Sequence, residues 1–273
     1  MGCIAKLPSS LFPLPSKMRY FITLSYDGTA YHGWQIQPNG ITIESELNRC
    51  LTDLFREPIE VIGASRTDSG VHADGQVIHF DAETSIPVDK IPYAVNTELP
   101  DDISMFYCEV TDDDFNARFS AKRKTYKYSL YSSPHRLPTL GRNHTHIISP
   151  LNIEDMKKGA EYIVGEHDFK CFEASGSVVK TTVRTVYSID IKVTEIEGVK
   201  GGAFAPVKVD ISVTGNGFLY NMVRIIAGTL VYVGMGKLTP EDVEKIILSK
   251  DRTRAGKTLP PEGLTLVSVE YER

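Results

Sequence analysis

Cysteine is scarce in this 273-residue sequence, and its longest apolar stretch is interrupted. The cysteines are widely spaced without a C-x-x-C pair, at Cys3, Cys50, Cys108 and Cys171. This spacing argues against a zinc site or a disulfide framework and favours a reducing, cytoplasmic compartment. The longest apolar stretch, residues 217–236, carries Arg224 and several glycines, so we expect no membrane span.

A strong overall charge is also absent, because 30 lysines and arginines face 35 aspartates and glutamates for a net charge of −5. Any polyanionic partner must therefore meet a local basic patch. Hydrophobic residues make up 41% of the chain and charged residues 24%, which excludes intrinsic disorder, collagen and coiled coil. The length allows one large domain or two modest ones.

Segments of alternating type predict an α+β fold built from two successive β-α-β-β-like halves. Prolines break the weakly apolar start, so we expect a disordered leader over residues 1–17, an N-terminal half over 18–114 and a C-terminal half over 115–273. Apolar periodicity and capping residues place the elements. Strands are expected at 20–26, 58–64, 75–81, 103–110, 122–131, 184–193, 207–213 and 263–271, and helices at 42–56, 88–96, 152–164, 218–233 and 239–249.

A polar loop, ASRTDSGVHADG at 64–75, lies between two of the predicted strands. Polar side chains on a loop held by strands are typical of a functional site, although a solvated turn is the common alternative for an arbitrary loop. Asp68-Ser69-Gly70 resembles an aspartic-protease signature. That chemistry needs two carboxylates sharing a proton, and the sequence has no second D-[ST]-G, so an aspartate-dependent hydrolase is disfavoured.

Arg224 is the only charged side chain between residues 211 and 236, in a predicted helix that is apolar nearly all round. Such a helix is expected to be buried, and a buried guanidinium keeps its proton and needs an anionic partner. Three interpretations stay open from the residues alone. Arg224 forms a structural ion pair, or reaches the rim of the core, or pairs with a site carboxylate, for which Asp68 is the candidate.

Residues 115–153 contain no acidic residue, so a mildly acidic chain carries a local basic segment that attracts phosphates. Along a strand, Lys122, Lys124 and Tyr126 share one face, and an aromatic ring beside cations suits an unstacked base. Ordinary strand composition explains the tyrosines but not the missing acidic residues. The basic residues of the segment are Arg118, Lys122, Arg123, Lys124, Lys127, Arg136 and Arg142.

Six motifs in order resemble the TruA family of tRNA pseudouridine synthases, from about Tyr20 to the end of the chain. They are YDGTAYHGWQIQP at 26–38, SRTDSGVHADGQV at 65–77, FNARFSAKRKTYKY at 115–128, GEHDF at 165–169, NGFLYNMVRIIAGTL at 216–230 and RAGKTLPPEGLTL at 254–266. Two positions depart from the pattern. Ser65 stands where the family often has Gly, and Leu259 stands where Ala usually precedes the first Pro.

The resemblance implies the pseudouridine synthase fold, in which the halves join into a mixed, mainly antiparallel sheet flanked by helices around a central RNA cleft. Asp68 matches the catalytic aspartate of the family, and Arg224 matches the arginine that pairs with it. Tyr126 matches the tyrosine that stacks on the uracil and acts on its ring proton. Arg66 matches a residue that helps to flip the target nucleotide. The substrate-binding set that we expect is Tyr126, Arg66, Lys122, Arg123 and Lys124.

The activity implied by the resemblance is isomerisation of uridine to pseudouridine at positions 38–40 of the tRNA anticodon arm, by a homodimer without metal or cofactor. The family reads tRNA shape, which suits backbone contacts. The alternative is a non-catalytic RNA-binding protein of the same fold, against which the complete set of Arg66, Asp68, Tyr126 and Arg224 argues. The residues do not decide between attack of Asp68 on C1′ and removal of a C2′ proton.

Overall fold

The computed structural model describes residues 17–176, 179–199 and 202–272. The leader expected over 1–17 therefore lies, except for Lys17, outside the described residues. The strands are β1 (Met18–Tyr26), β2 (Ile62–Gly63), β3 (His72–Ala82), β4 (Ile103–Thr111), β5 (Ala121–Ser132), β6 (Thr145–Ile147), β7 (Gly165–Asp168), β8 (Val183–Glu195), β9 (Val207–Gly215) and β10 (Leu264–Tyr271). The α-helices are α1 (Ile43–Phe55), α2 (Ile91–Asn96), α3 (Ile153–Glu161), α4 (Met222–Gly234) and α5 (Pro240–Ser249).

The described strands form one sheet in the order β4-β1-β3-β10-β5-β9-β8-β7, with β2 on β3 and β6 on β5. The pairs β3–β10 and β5–β6 are parallel and the other described pairs are antiparallel. This mixed, mainly antiparallel α+β architecture confirms the predicted fold class. The last strand joins the halves, because Leu266 of β10 is opposite both Ala73 of β3 and Tyr126 of β5. That pairing brings the loop before β3 close to Tyr126.

Three helices follow the sequence signals closely. Thr42 and Thr239 are extended, and each side-chain oxygen accepts a backbone N–H from the first turn in a capping box, which starts α1 and α5 where predicted. α4 is buried nearly all round, as its apolar composition predicts. None of the described helices is long and apolar enough to cross a membrane.

Several boundaries differ from the prediction for local reasons. The strand expected at 58–64 shrinks to β2, since the N–H groups of Ile59 and Val61 donate to side chains of α1 instead of to a neighbouring strand. α4 begins at Met222 rather than at residue 218, because Asn221 is left-handed with φ of 60°. α3 ends at Glu161, short of residue 164. The short strands β6 and β7 carry no strong signal in the sequence and were not expected.

Candidate active site

Residues of the N-terminal half hold the loop at residues 64–71 in place at Thr67, directly before Asp68. The hydroxyls of Tyr26 and Thr67 are 2.8 Å apart and both buried. The carbonyl of Thr67 also accepts the backbone N–H of Trp34 at 3.0 Å. Both the side chain and the backbone of the residue before Asp68 are therefore held, so the carboxylate projects from a fixed point.

A cleft of about 760 Å³ opens over this loop, and both halves of the chain contribute to its walls. The N-terminal half supplies the loop and the segment at 32–37, while the C-terminal half supplies parts of β5 and the start of α4. Within the described ranges, no group of three or more His, Cys, Asp or Glu side chains is arranged to hold a metal ion. The charged, polar and aromatic side chains that line this cleft include Arg66, Asp68, Arg118, Lys124, Tyr126 and Asn221.

Asp68 and Arg224 meet at one side of the cleft. Arg224 Nη1 is 3.4 Å from Asp68 Oδ2, and the two side chains are 14% and 26% exposed. Burial raises the pKa of Asp68 above its ordinary value, and the charge of Arg224 lowers that pKa without cancelling the effect of burial. The Arg224 guanidinium therefore reduces the free-energy cost of ionising the buried Asp68 carboxyl group. The pKa of Asp68 nevertheless stays above its ordinary value. Of the three interpretations of Arg224, the structure shows the pair with Asp68.

The guanidinium of Arg224 has two closer acceptors than Asp68. Its Nε donates to the carbonyl of Leu259 at 2.7 Å, and its Nη1 donates to Asn221 Oδ1 at 2.5 Å. Leu259 in turn donates its N–H to the carbonyl of Arg224 at 3.3 Å. The segment that carries the Leu259 departure from the family pattern is therefore a direct support of the arginine, and it provides that support through its backbone.

Tyr126 lies on β5 with its ring almost fully covered. Phe218 packs edge-on against that ring, with centroids 5.3 Å apart. The pKa of the Tyr126 phenol is raised to about 12, mainly by burial; the nearby Ser65 hydroxyl lowers this pKa and the Asp68 carboxylate raises it. The phenol is thus neutral at physiological pH and close enough to Asp68 and Ser65 to respond to both.

Lys124 brings the basic strand into the cleft. Its ammonium donates to the carbonyl of Ala64 at 2.6 Å, at the start of the loop that carries Asp68. Burial, together with the charge of Arg118, lowers the pKa of Lys124 to about 8. Burial lowers the pKa of Arg118, and the nearby charge of Arg66 lowers it further. Three cations, Arg66, Arg118 and Lys124, therefore line the cleft that also contains Asp68.

Lys122 and Arg123 lie outside the cleft. Lys122 is exposed, with Nζ 3.4 Å from Glu272 Oε2, and the guanidinium of Arg123 lies over the ring of Tyr187 at 4.7 Å. Lys124 lines the cleft and Lys122 does not, and the pairing of β5 with β10 is irregular at Lys122, since Arg123 is opposite Glu270 and Ala121 is opposite Tyr271. Contact of Lys122 and Arg123 with tRNA stays a prediction.

Two cleft residues were missed by reasoning from the sequence. Arg118 belongs to the basic segment and to the motif FNARFSA, but it is not among the predicted site residues. Asn221 follows Tyr220 in another quoted motif, yet nothing in the composition indicates its left-handed backbone or its bond to Arg224. Both depend on contacts between distant segments, which periodicity does not report.

Comparison with known proteins places this geometry in a family. A family model described as tRNA pseudouridine synthase matches residues 22–120 and 160–272. The tRNA pseudouridine synthase A of Thermoanaerobacter sp. (strain X514) is 48% identical over 250 residues, which cover 92% of this chain and 98% of that protein. The protein of the same name from Bacillus subtilis (strain 168) is 44% identical over 259 residues, covering 93% of this chain and 100% of its own length.

A solved Cbf5-Nop10-Gar1 complex aligns with 93% of this chain and 58% of the matched chain, at 13% identity and a TM-score of 0.32, a likeness too slight to inform the fold. The two relatives, in contrast, cover more than nine-tenths of the sequence. The family model contains five of the six motifs quoted above in full, and it matches the motif at 115–128 as far as residue 120. The part of the chain that these matches cover folds into a mixed sheet, and the two halves of that sheet enclose a basic cleft. The chain belongs to the tRNA pseudouridine synthase family.

Proposed function

We propose that this chain isomerises uridine to pseudouridine in tRNA, at positions 38–40 of the anticodon stem-loop, with Asp68 as the catalytic carboxylate. Membership of the family supports the reaction and the class of substrate. The observation that carries the assignment to Asp68 is its position in the cleft, 3.4 Å from Arg224 and close enough to Tyr126 to raise the pKa of the phenol.

The target uridine must leave its stack before its glycosidic carbon can reach Asp68. The cleft volume of about 760 Å³ is in the range that holds a small organic ligand, so an everted nucleoside fits it. Arg66 lies two residues before Asp68 and lines the same cleft. We infer that Arg66 fills the space that the uridine leaves in the RNA stem, where its guanidinium stacks on the neighbouring bases.

The reaction is an isomerisation in which nothing is added to the nucleotide overall. Asp68, as a carboxylate, attacks C1′ or takes a proton from C2′, and the C1′–N1 bond breaks. The uracil rotates in the pocket and C5 bonds to C1′, while the Asp68–C1′ bond breaks on the first route or the proton returns to C2′ on the second. Loss of the C5 proton, with return of a proton to N1, completes pseudouridine. Before the first step, the charge of Arg224 offsets part of the effect of burial, which raises the pKa of Asp68.

Tyr126 handles the base after the bond breaks. Its ring is fixed by the edge-on contact with Phe218, so it offers the rotating uracil one flat surface. Its phenol has a pKa raised to about 12 by burial, which makes it a weak acid in the resting enzyme and a strong base once deprotonated. We place the phenol at the step in which the C5 proton is lost: it gives its own proton to N1 of the detached uracil, and the phenolate so formed accepts the proton from C5.

Binding of the anticodon arm draws on the cations of the cleft and of its edge. Lys124, Arg118 and Arg66 line the same cleft as Asp68, where they attract the phosphates that flank the target. Lys122 and Arg123 extend the positive charge along β5 and contact the RNA outside the cleft. We further infer that the enzyme works in the cytoplasm as a homodimer, as the family resemblance implies.

Release of tritium from tRNA labelled at uracil C5 tests the function, without any added cofactor. We expect the wild-type chain to release tritium and Asp68→Asn to release none, because the amide neither attacks C1′ nor accepts a proton. The tRNA dissociation constant of Asp68→Asn should stay near that of the wild type, since the substitution keeps the size of the side chain.

Two results would count against the proposal. Tritium release by Asp68→Asn at the wild-type rate would show that another carboxylate performs the reaction. Binding of tRNA by a folded wild-type chain without any release would favour the non-catalytic RNA-binding alternative. Location of the product at residues 38, 39 or 40 by reverse transcription of the modified tRNA checks the assigned positions.

A further inference from the structure

Asn221 has an unusual backbone for its place in the fold. It directly precedes α4, with φ of 60° and ψ of 9°, in the left-handed region. A residue at this position of a helix is normally extended, and its side chain accepts a backbone N–H of the first turn. The Asn221 side chain makes no such bond. A strained conformation that gives up a favourable cap is typical of a position under functional constraint.

The side chain of Asn221 binds the site instead of the helix. Its Oδ1 accepts from Arg224 Nη1 at 2.5 Å, whereas the same Nη1 is 3.4 Å from Asp68 Oδ2. The carbonyl of Leu259 holds Nε on the adjacent side at 2.7 Å. Two neutral acceptors therefore fix the guanidinium, and the carboxylate is its third and most distant partner.

The separation between the two charges has a chemical consequence. An unrestrained arginine beside a buried carboxylate tends to form a short, bidentate pair. Such a pair would occupy both oxygens of Asp68 and lower its reactivity toward the ribose. In the observed arrangement Asp68 Oδ1 makes no contact with Arg224 within hydrogen-bonding distance, while the charge still acts on the carboxylate.

We propose that Asn221 is a positioning residue that holds the guanidinium of Arg224 back from Asp68, so that one carboxylate oxygen stays free to react. The inference rests on the roles given to Asp68 and Arg224 in the proposed function. Asn221 acts through Arg224 and is not itself assigned a contact with the reacting atoms. Its left-handed backbone is the conformation that lets the amide turn back toward the arginine.

Asn221→Gly tests this directly, because glycine adopts the left-handed region without strain and removes only the amide. We expect the variant to fold and to bind tRNA like the wild type. Its single-turnover rate should fall on the order of 10- to 100-fold, the loss that misplacement of a catalytic group produces. Arg56→Gly is the matched control, since Arg56 is also left-handed, at φ of 59°, but is exposed and does not line the cleft. It should keep the wild-type rate.

The pH profile of the single-turnover rate separates positioning from a structural role. Without the amide, Arg224 approaches Asp68 and lowers its pKa, so the acid limb of Asn221→Gly should move to lower pH, by up to about 1 unit. Asn221→Asp adds a negative charge near Asp68 and raises its pKa, so its acid limb should move to higher pH. Other ionisable groups are common to all variants and cancel in the comparison. They are His32, Arg66, Arg118, Lys124 and Tyr126 along the cleft, with Tyr128 near Arg224 and Glu262 near Tyr128.

A wild-type rate and profile in folded Asn221→Gly would overturn the inference, as would a loss of rate without any movement of the acid limb. Asp68→Asn in the same assay keeps the two proposals apart. If Asp68→Asn still turns over, the proposed function fails. If Asp68→Asn is inactive while Asn221→Gly behaves like Arg56→Gly, only the positioning role of Asn221 fails.

Discussion

Gln76 pairs with the backbone of Ser65 through both ends of its side-chain amide. Its Oε1 accepts the Ser65 N–H at 3.2 Å, and its Nε2 donates to the Ser65 carbonyl at 2.7 Å. Gln76 is fully buried on β3. The strand β2 ends at Gly63, so the Gln76 side chain supplies the hydrogen bonds to Ser65 that a longer pairing of β2 with β3 would make. The chain is thereby held in an extended path three residues before Asp68.

Substitution Gln76→Met should therefore lower both stability and activity. It leaves the N–H and the carbonyl of Ser65 buried without a partner, at a cost of about 1–3 kcal/mol for each group. Thermal denaturation should show a melting temperature lower by several degrees, at about 2–4 °C per kcal/mol for a chain of this size. Tritium release should fall as well, because the loop that carries Asp68 is less well held.

Tyr26→Phe provides the comparison for Gln76→Met. It removes the hydroxyl that lies 2.8 Å from Thr67 Oγ1 and 3.4 Å from Gln76 Nε2, but it leaves the two bonds to Ser65 intact. Its effect on the melting temperature should be the smaller of the two. An unchanged melting temperature in Gln76→Met would contradict the view that this amide fixes the loop.

Lys124 should make tRNA binding depend on pH. Burial lowers the pKa of Lys124 to about 8, so the side chain is charged below that pH and neutral above it. A polyanion binds the charged form more tightly, and the dissociation constant for tRNA should therefore rise as the pH increases through about 8. Fluorescence anisotropy with labelled tRNA at constant ionic strength measures this change.

Lys124→Arg should flatten that dependence, since a guanidinium keeps its proton throughout the range. Lys122→Arg serves as the control, because Lys122 is exposed outside the cleft and its substitution should leave the dependence in place. Retention of the full pH dependence in Lys124→Arg would assign it to some other group.

Charge reversal separates the cleft cations from those at its edge. Lys124→Glu places a carboxylate in a cleft that already holds Asp68, so it should weaken tRNA binding strongly and reduce the slope of log affinity against log salt concentration by about 1. Lys122→Glu should have a smaller effect, because Lys122 lies beside Glu272 in solvent. Equal effects of the two reversals would mean that the RNA path follows β5 rather than the cleft.

The sequence predicts those parts of the fold that short-range chemistry determines. Thr42 and Thr239 start their helices because a capping threonine acts within one turn. The burial of α4 follows from its apolar composition. The need of a buried guanidinium for an anion makes Asp68 a candidate partner of Arg224, and the structure decides among the three interpretations by showing that pair. These features need no knowledge of which strands pair.

What the sequence does not predict comes from long-range pairing. The position of β10 between β3 and β5 brings Tyr126 to the Asp68 loop, and no periodicity within β10 indicates its neighbours. Lys124 lines the cleft and Lys122 does not, although the two are expected on one face of the strand, and the pairing of β5 with β10 is irregular beside Lys122. Asn is one of the non-glycine residues that adopt the left-handed conformation most readily, but its propensity does not indicate that the amide of Asn221 meets Arg224.

Gly228 of α4 packs against the segment at residues 256–259, and its substitution tests whether that segment supports Arg224. A Cβ at Gly228 would overlap the carbonyl oxygen of Lys257, so Gly228→Ala must displace the chain that leads to Leu259. Leu259 accepts the Nε hydrogen bond of Arg224, and its displacement should loosen the guanidinium. Although alanine is favoured over glycine inside helices by about 1 kcal/mol, we expect Gly228→Ala to lower both the melting temperature and the single-turnover rate.

Gly159→Ala in α3 is the matched control for Gly228→Ala. The nearest atom to a Cβ there is Val243 Cγ2 at 3.3 Å, the end of a side chain that can shift by a few tenths of an ångström. Both glycines are buried helical residues, so the helix-propensity gain is the same in the two variants and only the clash with backbone differs. Gly159→Ala should keep nearly the wild-type rate and melting temperature. If Gly228→Ala matched it in both measurements, the 256–259 segment would have to be free to move without disturbing Arg224, and the backbone of Leu259 could not be what fixes the arginine.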